Sequence, residues 1–169
     1  MMTLVCRSMR RWTLLALACT GPLCVPAAQA CNGDIDGSST IDTDATGAVV
    51  KIWTGATFGA SAGYLRPDGS LVRPCWYTAG TFNAGGRGGR VQIFNPAGTL
   101  VNDLIAATSQ YQQHHDLAMM PNGDILCIVW EQHTQAEGKA AGRTTLNNVI
   151  WSETIMQIRP TGDSTFQTV

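Results

Sequence analysis

The chain is poor in charge and in histidine: 14% of its 169 residues are charged and three are histidine. Basic residues do not dominate, with 11 Lys+Arg against 12 Asp+Glu. Three of the basic ones, Arg7, Arg10 and Arg11, crowd the N-terminus, and what remains carries 8 basic and 12 acidic groups, a net −4. A nucleic-acid binder needs a basic stripe, so this balance excludes that class of partner. Beyond residue 30 no apolar run reaches the ~20 residues of a membrane-spanning helix. What is present is 44% hydrophobic residues and 18 glycines. The apolar fraction can build a core, which excludes a disordered chain. The length fits one domain of roughly 100–200 residues.

Residues 1–30 read as a secretory signal peptide. The three arginines form a positive start, Trp12–Val25 is mostly apolar, and Ala28-Gln29-Ala30 is a small-x-small cleavage site. A membrane anchor is the weaker alternative, because Pro22 and Pro26 break the apolar stretch. The expected location is the periplasm or the exterior, with Cys31 as an alternative site of lipid attachment. Cys6, Cys19 and Cys24 leave with the signal, and Cys31, Cys75 and Cys127 remain. Disulfides persist outside the cytoplasm, so a Cys75–Cys127 bridge is one pairing left open. Residues 31–38 form an acidic lead-in. Asn32–Ser38 has the look of a calcium loop, but Thr43 stands where the acidic twelfth ligand belongs.

From residue 39 to 169 one pattern of turns recurs. Asp44–Gly47, Pro67–Gly69, Asn95–Gly98, Pro121–Gly123 and Pro160–Gly162 each precede β-branched or aromatic runs. Glycine supplies the positive φ of a tight hairpin and proline presets the approach to it. Gly69 and Gly123 are 54 residues apart and Gly47 and Gly98 are 51 apart. Gly98 to Gly162 is 64, the excess matching a polar, Ala-rich insertion at His133–Asn148. Two turn classes therefore alternate with a long period, and two hairpins make one four-stranded unit.

Four-stranded units repeating at about 40–50 residues mark a β-propeller. A β-sandwich also spaces its turns closely, but has no reason to alternate two turn types. The expected strands are Ser39–Asp42 and Ala48–Trp53, then Ala60–Arg66, Ser70–Trp76, Arg90–Phe94 and Thr99–Ile105, then His115–Met120, Asp124–Glu131, Thr154–Arg159 and Ser164–Val169. This is an all-β fold, a partial β-propeller of about two and a half blades, where a closed ring takes about 4–8. The expectation is a fragment of a longer protein.

The stretch His114-His115-Asp116-Leu117-Ala118-Met119-Met120-Pro121-Asn122-Gly123, continuing to Val129-Trp130-Glu131, resembles the aryl-sulfate sulfotransferase family of exported bacterial propellers. Gly85–Phe94 is similar to that family's glycine-rich approach to a strand, and Ala136–Arg143 to its insertion after Trp-Glu. Ile41–Trp53 and Tyr64–Arg73 follow its blade pattern, so the resemblance spans Ile41–Val169. It implies a six-bladed propeller and sulfuryl transfer from a phenolic sulfate ester to a phenol. It also implies a histidine nucleophile, further histidines and an arginine in the central channel, no nucleotide sulfate donor and no cofactor. The later blades, where the nucleophile is expected, lie beyond this sequence.

In a propeller the first strand of each blade lines the channel. Eight residues before Gly123 stands His115, at the start of such a strand; the same count from Gly69 reaches Ser61. A histidine can act as nucleophile, base or donor near neutral pH. Adjacent strand residues point to opposite faces, so His114 and His115 are not expected to face one way. The expected catalytic residues are His115, His114 and Asp116, with His115 in the channel and Asp116 ordering a neighbouring ring. The alternative is that they are ordinary polar residues at a blade mouth. A metal site at His114, His115, Asp116 and His133 is disfavoured, because the spacing is not helical and the pair splits across the strand. Arg87 and Arg90, with the amides of the glycine loop, are the expected sulfate-binding residues, the alternative being a solvated loop. The aryl sulfate and the phenol are the expected partners. A non-catalytic secreted binding propeller and an inactive remnant are the rival readings.

Overall fold

The computed structural model describes residues 39–60, 62–82 and 84–169. The signal segment, the acidic lead-in, Cys31 and Ser61 lie outside the described residues. The described chain is all-β apart from one short helix. In order it forms β1 (Ser39–Thr43), β2 (Val49–Thr54), β3 (Tyr64–Leu65), β4 (Leu71–Trp76), β5 (Gly89–Phe94), β6 (Leu100–Ile105), β7 (Tyr111–Met119), β8 (Ile125–His133), α1 (Gln135–Ala140), β9 (Ile150–Pro160) and β10 (Phe166–Thr168). No helix among these residues is long and apolar enough to cross a membrane.

The strands make three antiparallel sheets: the hairpin β1–β2 and two four-stranded meanders, β3-β4-β5-β6 and β7-β8-β9-β10. Four hairpins share one turn chemistry. Gly47, Gly69, Gly98 and Gly123 all have φ between 81° and 93°, and each amide donates to the carbonyl three residues before it. An Asp or Asn side chain closes the turn from within, as Asp44 Oδ1 does on the amides of Thr46 and Ala48. The fifth turn departs from the expectation, since Gly162 is not among the glycines with positive φ.

Four expected strands changed markedly: Thr154–Arg159 lengthens to Ile150–Pro160, Ser164–Val169 shortens to Phe166–Thr168, and two others differ as follows. Ala60–Arg66 shrinks to Tyr64–Leu65, with a lone bridge at Gly59↔Cys75. The cause is Pro74, in the middle of β4: its carbonyl accepts from Ala60, but it has no N–H to return to that side. The strand expected from His115 begins instead at Tyr111. Within the expected insertion, Thr134 and Glu137 form a capping box that starts α1.

The three sheets pack face on face. Leu71, Arg73 and Cys75 alternate along one side of β4. That side meets the β1–β2 hairpin, where Trp53 packs with Leu71 and Phe94 and Thr40 accepts from Arg73 Nη1 at 3.2 Å. The other side of the same sheet, Val72, Val91, Ile93 and Leu104, forms the main core with Leu117, Ile125, Cys127, Val129, Met156 and Ile158 of the last sheet. The first four-stranded sheet therefore lies between Cys75 and Cys127. Both are free buried thiols, which corrects the idea of a bridge between them.

Candidate functional site

The site grows from a conflict over β7. The strand pairs with β8 at Tyr111–Gln113 and again at Leu117–Met119. From Gln113 to Leu117 the register advances four residues, while β8 advances only from Val129 to Cys127. Two residues too many must leave the ladder, and such bulges re-aim side chains. The ejected backbone finds new partners in the glycine loop. His115 N–H donates to Gly86 O at 2.6 Å, Gly88 N–H donates to Gln113 O at 3.3 Å, and Arg87 bridges His114.

Two buried glutamines fasten this arrangement. Gln113 Oε1 accepts from Gly89 N–H at 2.9 Å, and its Nε2 donates to His114 O at 2.9 Å. Gln112 Oε1 accepts from Phe82 N–H at 3.2 Å. Glycine is required where the loop touches β7: a methyl group at Gly86 would overlap the His115 ring, and one at Gly88 the Gln113 amide. His115 is bent to a φ of 47°, which no other non-glycine residue among those described adopts. Such a left-handed residue costs roughly 1–3 kcal/mol and persists only where its surroundings enforce it.

The bulge overturns the expected alternation. His114 and His115 do not split across the strand: their Nδ1 atoms lie 2.8 Å apart, with the rings nearly perpendicular. His114 is 1% exposed and stacks on Trp130, centroids 3.7 Å apart and planes 9° from parallel. Its Nε2 is buried without a hydrogen-bond partner. Burial, and then the neighbouring His115, hold the His114 pKa below its ordinary value, while Glu153 acts weakly the other way. His115 is exposed.

An Nδ1 pair needs one proton between the two rings, so one histidine donates and the other accepts. If His115 donates, its Nε2, on the ring edge beside Gly86, carries a lone pair and can attack or take a proton. If it accepts, its Nε2 carries a proton to give. The buried, stacked partner fixes the direction of the exposed ring in either case. Doubly charged, the pair loses this bond.

The other expected residues divide. Arg87 belongs to the site, its guanidinium 5.0 Å over the Trp76 ring. Arg90 does not join it: its Nε pairs with Asp103 Oδ1 at 3.0 Å, on the neighbouring strand β6. Asp116 does not order a histidine ring. Its Oδ1 accepts from Tyr64 O–H at 2.6 Å and from Leu117 N–H at 2.8 Å, tying β3 to β7. Burial first, then the Asp116 carboxylate, push the Tyr64 hydroxyl up to about 12. Among the described residues no group of three or more His, Cys, Asp or Glu could hold a metal.

Sequence reasoning missed Gln112, Gln113, Tyr64 and the role of Trp130. One signal was available: Gln112-Gln113 inside an otherwise strand-like run calls for polar partners on both faces.

No protein-family model matches the chain, and neither a curated protein nor a solved structure matches it.

Proposed function

We propose that the three sheets are successive blades of a β-propeller and that the histidine pair serves sulfuryl transfer from an aryl sulfate to a phenol in an exported protein. The observation that carries the activity is the pair itself: an exposed imidazole oriented by a buried, neutral one, on the edge strand of its sheet.

The repeated packing supports the propeller. With turn glycines aligned, Leu71, Arg73 and Cys75 correspond to Ile125, Cys127 and Val129, and each set faces the preceding sheet. Aligning Gly47 with Gly98 matches Trp53 to Leu104, and both face the following sheet. Sheets that repeat their inward and outward sides in this order are packed as propeller blades are. In that arrangement β3 and β7, first in their sheets, line the channel, and Tyr64–Asp116 joins them there.

In this reading His115 meets the substrate. It accepts the proton of the phenol whose oxygen attacks sulfur, or returns one to the departing aryl oxygen. His114 keeps the ring's tautomer and direction, and burial keeps His114 itself neutral. Arg87 faces the sulfate oxygens, which hold negative charge throughout. The nucleophilic histidine of the family pattern is assigned to no residue here.

The test is transfer from 4-nitrophenyl sulfate to phenol, followed by 4-nitrophenol absorbance. Release that depends on phenol, and that falls at least ~100-fold in His115→Ala, supports the reading. Release unaffected by that change removes His115 from the chemistry.

A further inference from the structure

A cleft of about 540 Å³ opens between the two four-stranded sheets at their turn ends, and it shares no lining residue with the histidine site. One sheet contributes Arg66 and Asp68 from the β3–β4 turn, Asn95 from the β5–β6 turn and Asn102 from β6; the other contributes Asp124 from the β7–β8 turn and Arg159 from β9. Most of these side chains are fixed by one half and leave the other half unused. Asp68 Oδ1 accepts from the N–H and O–H of Ser70 at 3.0 and 2.6 Å, and Oδ2 has no hydrogen-bond partner among the described residues. Asn95 Oδ1 accepts from Thr99 N–H at 2.9 Å, which leaves its Nδ2; Asn102 Nδ2 donates to Gly162 O at 2.9 Å, which leaves its Oδ1. Arg159 is pinned through Nε and Nη2 by Asp124, itself 1% exposed, and keeps Nη1. The half-buried Arg66 guanidinium makes no hydrogen bond or ion pair among the described residues; it acts on Asp68 through its charge alone.

The charged lining balances, two arginines against two aspartates, so the cleft favours neither an anion nor a cation. It offers donors from Arg66, Arg159 and Asn95 beside acceptors from Asp68 and Asn102, around the apolar Ile93, Pro96 and Val101. A few placed polar groups among apolar ones are what small-molecule sites are made of. A hydroxyl donates and accepts at once, so it fits between an arginine and an aspartate as neither a carboxylate nor an ammonium does. A sugar ring carries several hydroxyls at its rim and C–H groups on its faces. A peptide strand fits less well: Asp103 N–H, on the edge strand beside the cleft, already donates to Asp163 O at 2.7 Å, which interrupts the row of amides such a strand would pair with. We propose that this cleft binds a neutral saccharide, with hydroxyls shared among Arg66, Asp68, Asn95 and Asn102 and a ring face on Pro96 and Val101. Side chains already held by their own hydrogen bonds lose little freedom on binding it. The proposal stands apart from sulfuryl transfer, since no residue of the histidine site takes part.

The probes are cellohexaose, maltohexaose and mannohexaose, each titrated into the full chain up to ~5 mM and followed by calorimetry. An alginate hexasaccharide, which adds carboxylates to the same kind of ring, and a blocked hexapeptide of glycine and serine are separate arms. One of the neutral saccharides is expected to bind at least ~10-fold more tightly than either of those arms. Arg66→Leu should weaken that binding about 10-fold, because a hydrogen bond from a charged group is lost, and Asn102→Ala about 5-fold. Arg66→Lys should recover part of the loss. Circular dichroism and melting establish that each variant is folded; Arg66 holds no other side chain in place, so its replacement leaves the sheets intact. No binding by any of the three saccharides overturns the proposal. So does alginate or the peptide binding as tightly as the best of them, or an affinity unchanged in folded Arg66→Leu and Asn102→Ala.

Discussion

Replacing His114 by phenylalanine separates the two roles of the buried ring. The substitution keeps a flat ring on Trp130, where the present stack has its centroids 3.7 Å apart. It removes the buried Nε2 that has no partner, and an unsatisfied buried polar atom costs about 1–3 kcal/mol. Against that gain stand the lost Nδ1 contact, about 1 kcal/mol, and the larger ring, about 1 kcal/mol of crowding. The terms nearly cancel, so His114→Phe should lie within about 1 kcal/mol of the wild type at pH 7.5. His114→Ala loses the stack and opens a cavity, and should cost about 3 kcal/mol. Urea unfolding followed by tryptophan fluorescence measures both. The pH dependence adds a second check. Burial lowers the pKa of His114 from its ordinary 6.5, so below that pH the unfolded chain binds the proton more readily than the folded one. The stability from keeping the ring neutral is whole above pH 6.5 and is lost as the pH falls beneath it. His114→Phe should flatten that slope. A phenylalanine variant as unstable as the alanine one, with the acid slope unchanged, would refute the picture of a neutral ring whose Nε2 has no partner.

Tyr64→Phe deletes the hydrogen bond to Asp116 and should cost about 1 kcal/mol. Because the Tyr64 pKa is raised to about 12, this bond is intact below pH 10 and is lost as the pH climbs through 12; tyrosinate absorbance of wild type and variant should differ by one late-titrating group. Asp124 accepts from Arg159 Nε and Nη2, each at 2.8 Å, which holds its carboxyl well below the ordinary 3.8. The contribution is present above pH 3.8 and lost as the pH falls below it, so Asp124→Asn should lower stability at neutral pH and soften the acid limb of unfolding. Burial raises the Cys75 thiol and pushes the Cys127 thiol up to about 12. Peptide mass spectrometry should find both unalkylated by iodoacetamide in the native protein and both alkylated in denaturant; a linked Cys75–Cys127 peptide would contradict the sheet between them. Ile155 is 63% exposed while its counterpart Val91 is fully buried, so Ile155→Lys should reduce light scattering by concentrated protein without lowering the urea midpoint.

Residues 39–169 carry in their order the all-β class, the hairpin turns and nearly every strand. These depend on short-range chemistry: an Asp or Asn that closes a turn, a glycine at positive φ, and β-branched flanks. Even the shortening of the strand at Tyr64–Leu65 was written locally, in Pro74, though its effect falls on a neighbour. The length of β7 and the fate of its histidines were not local. Alternation along a strand put His114 and His115 on opposite faces, and that rule fails where a strand is pulled from its ladder. The pull comes from Gly86 and Gly88, far away in the chain, whose missing side chains let the loop reach the backbone of β7. Only the packed structure could decide that contest between β8 and the loop, bring the two Nδ1 atoms together, send Arg90 to Asp103 and set Cys75 and Cys127 on opposite sides of a sheet. The physical reason is that turns are determined by neighbours in sequence, while bulges and side-chain pairs are determined by whichever partner from elsewhere best satisfies a buried polar group.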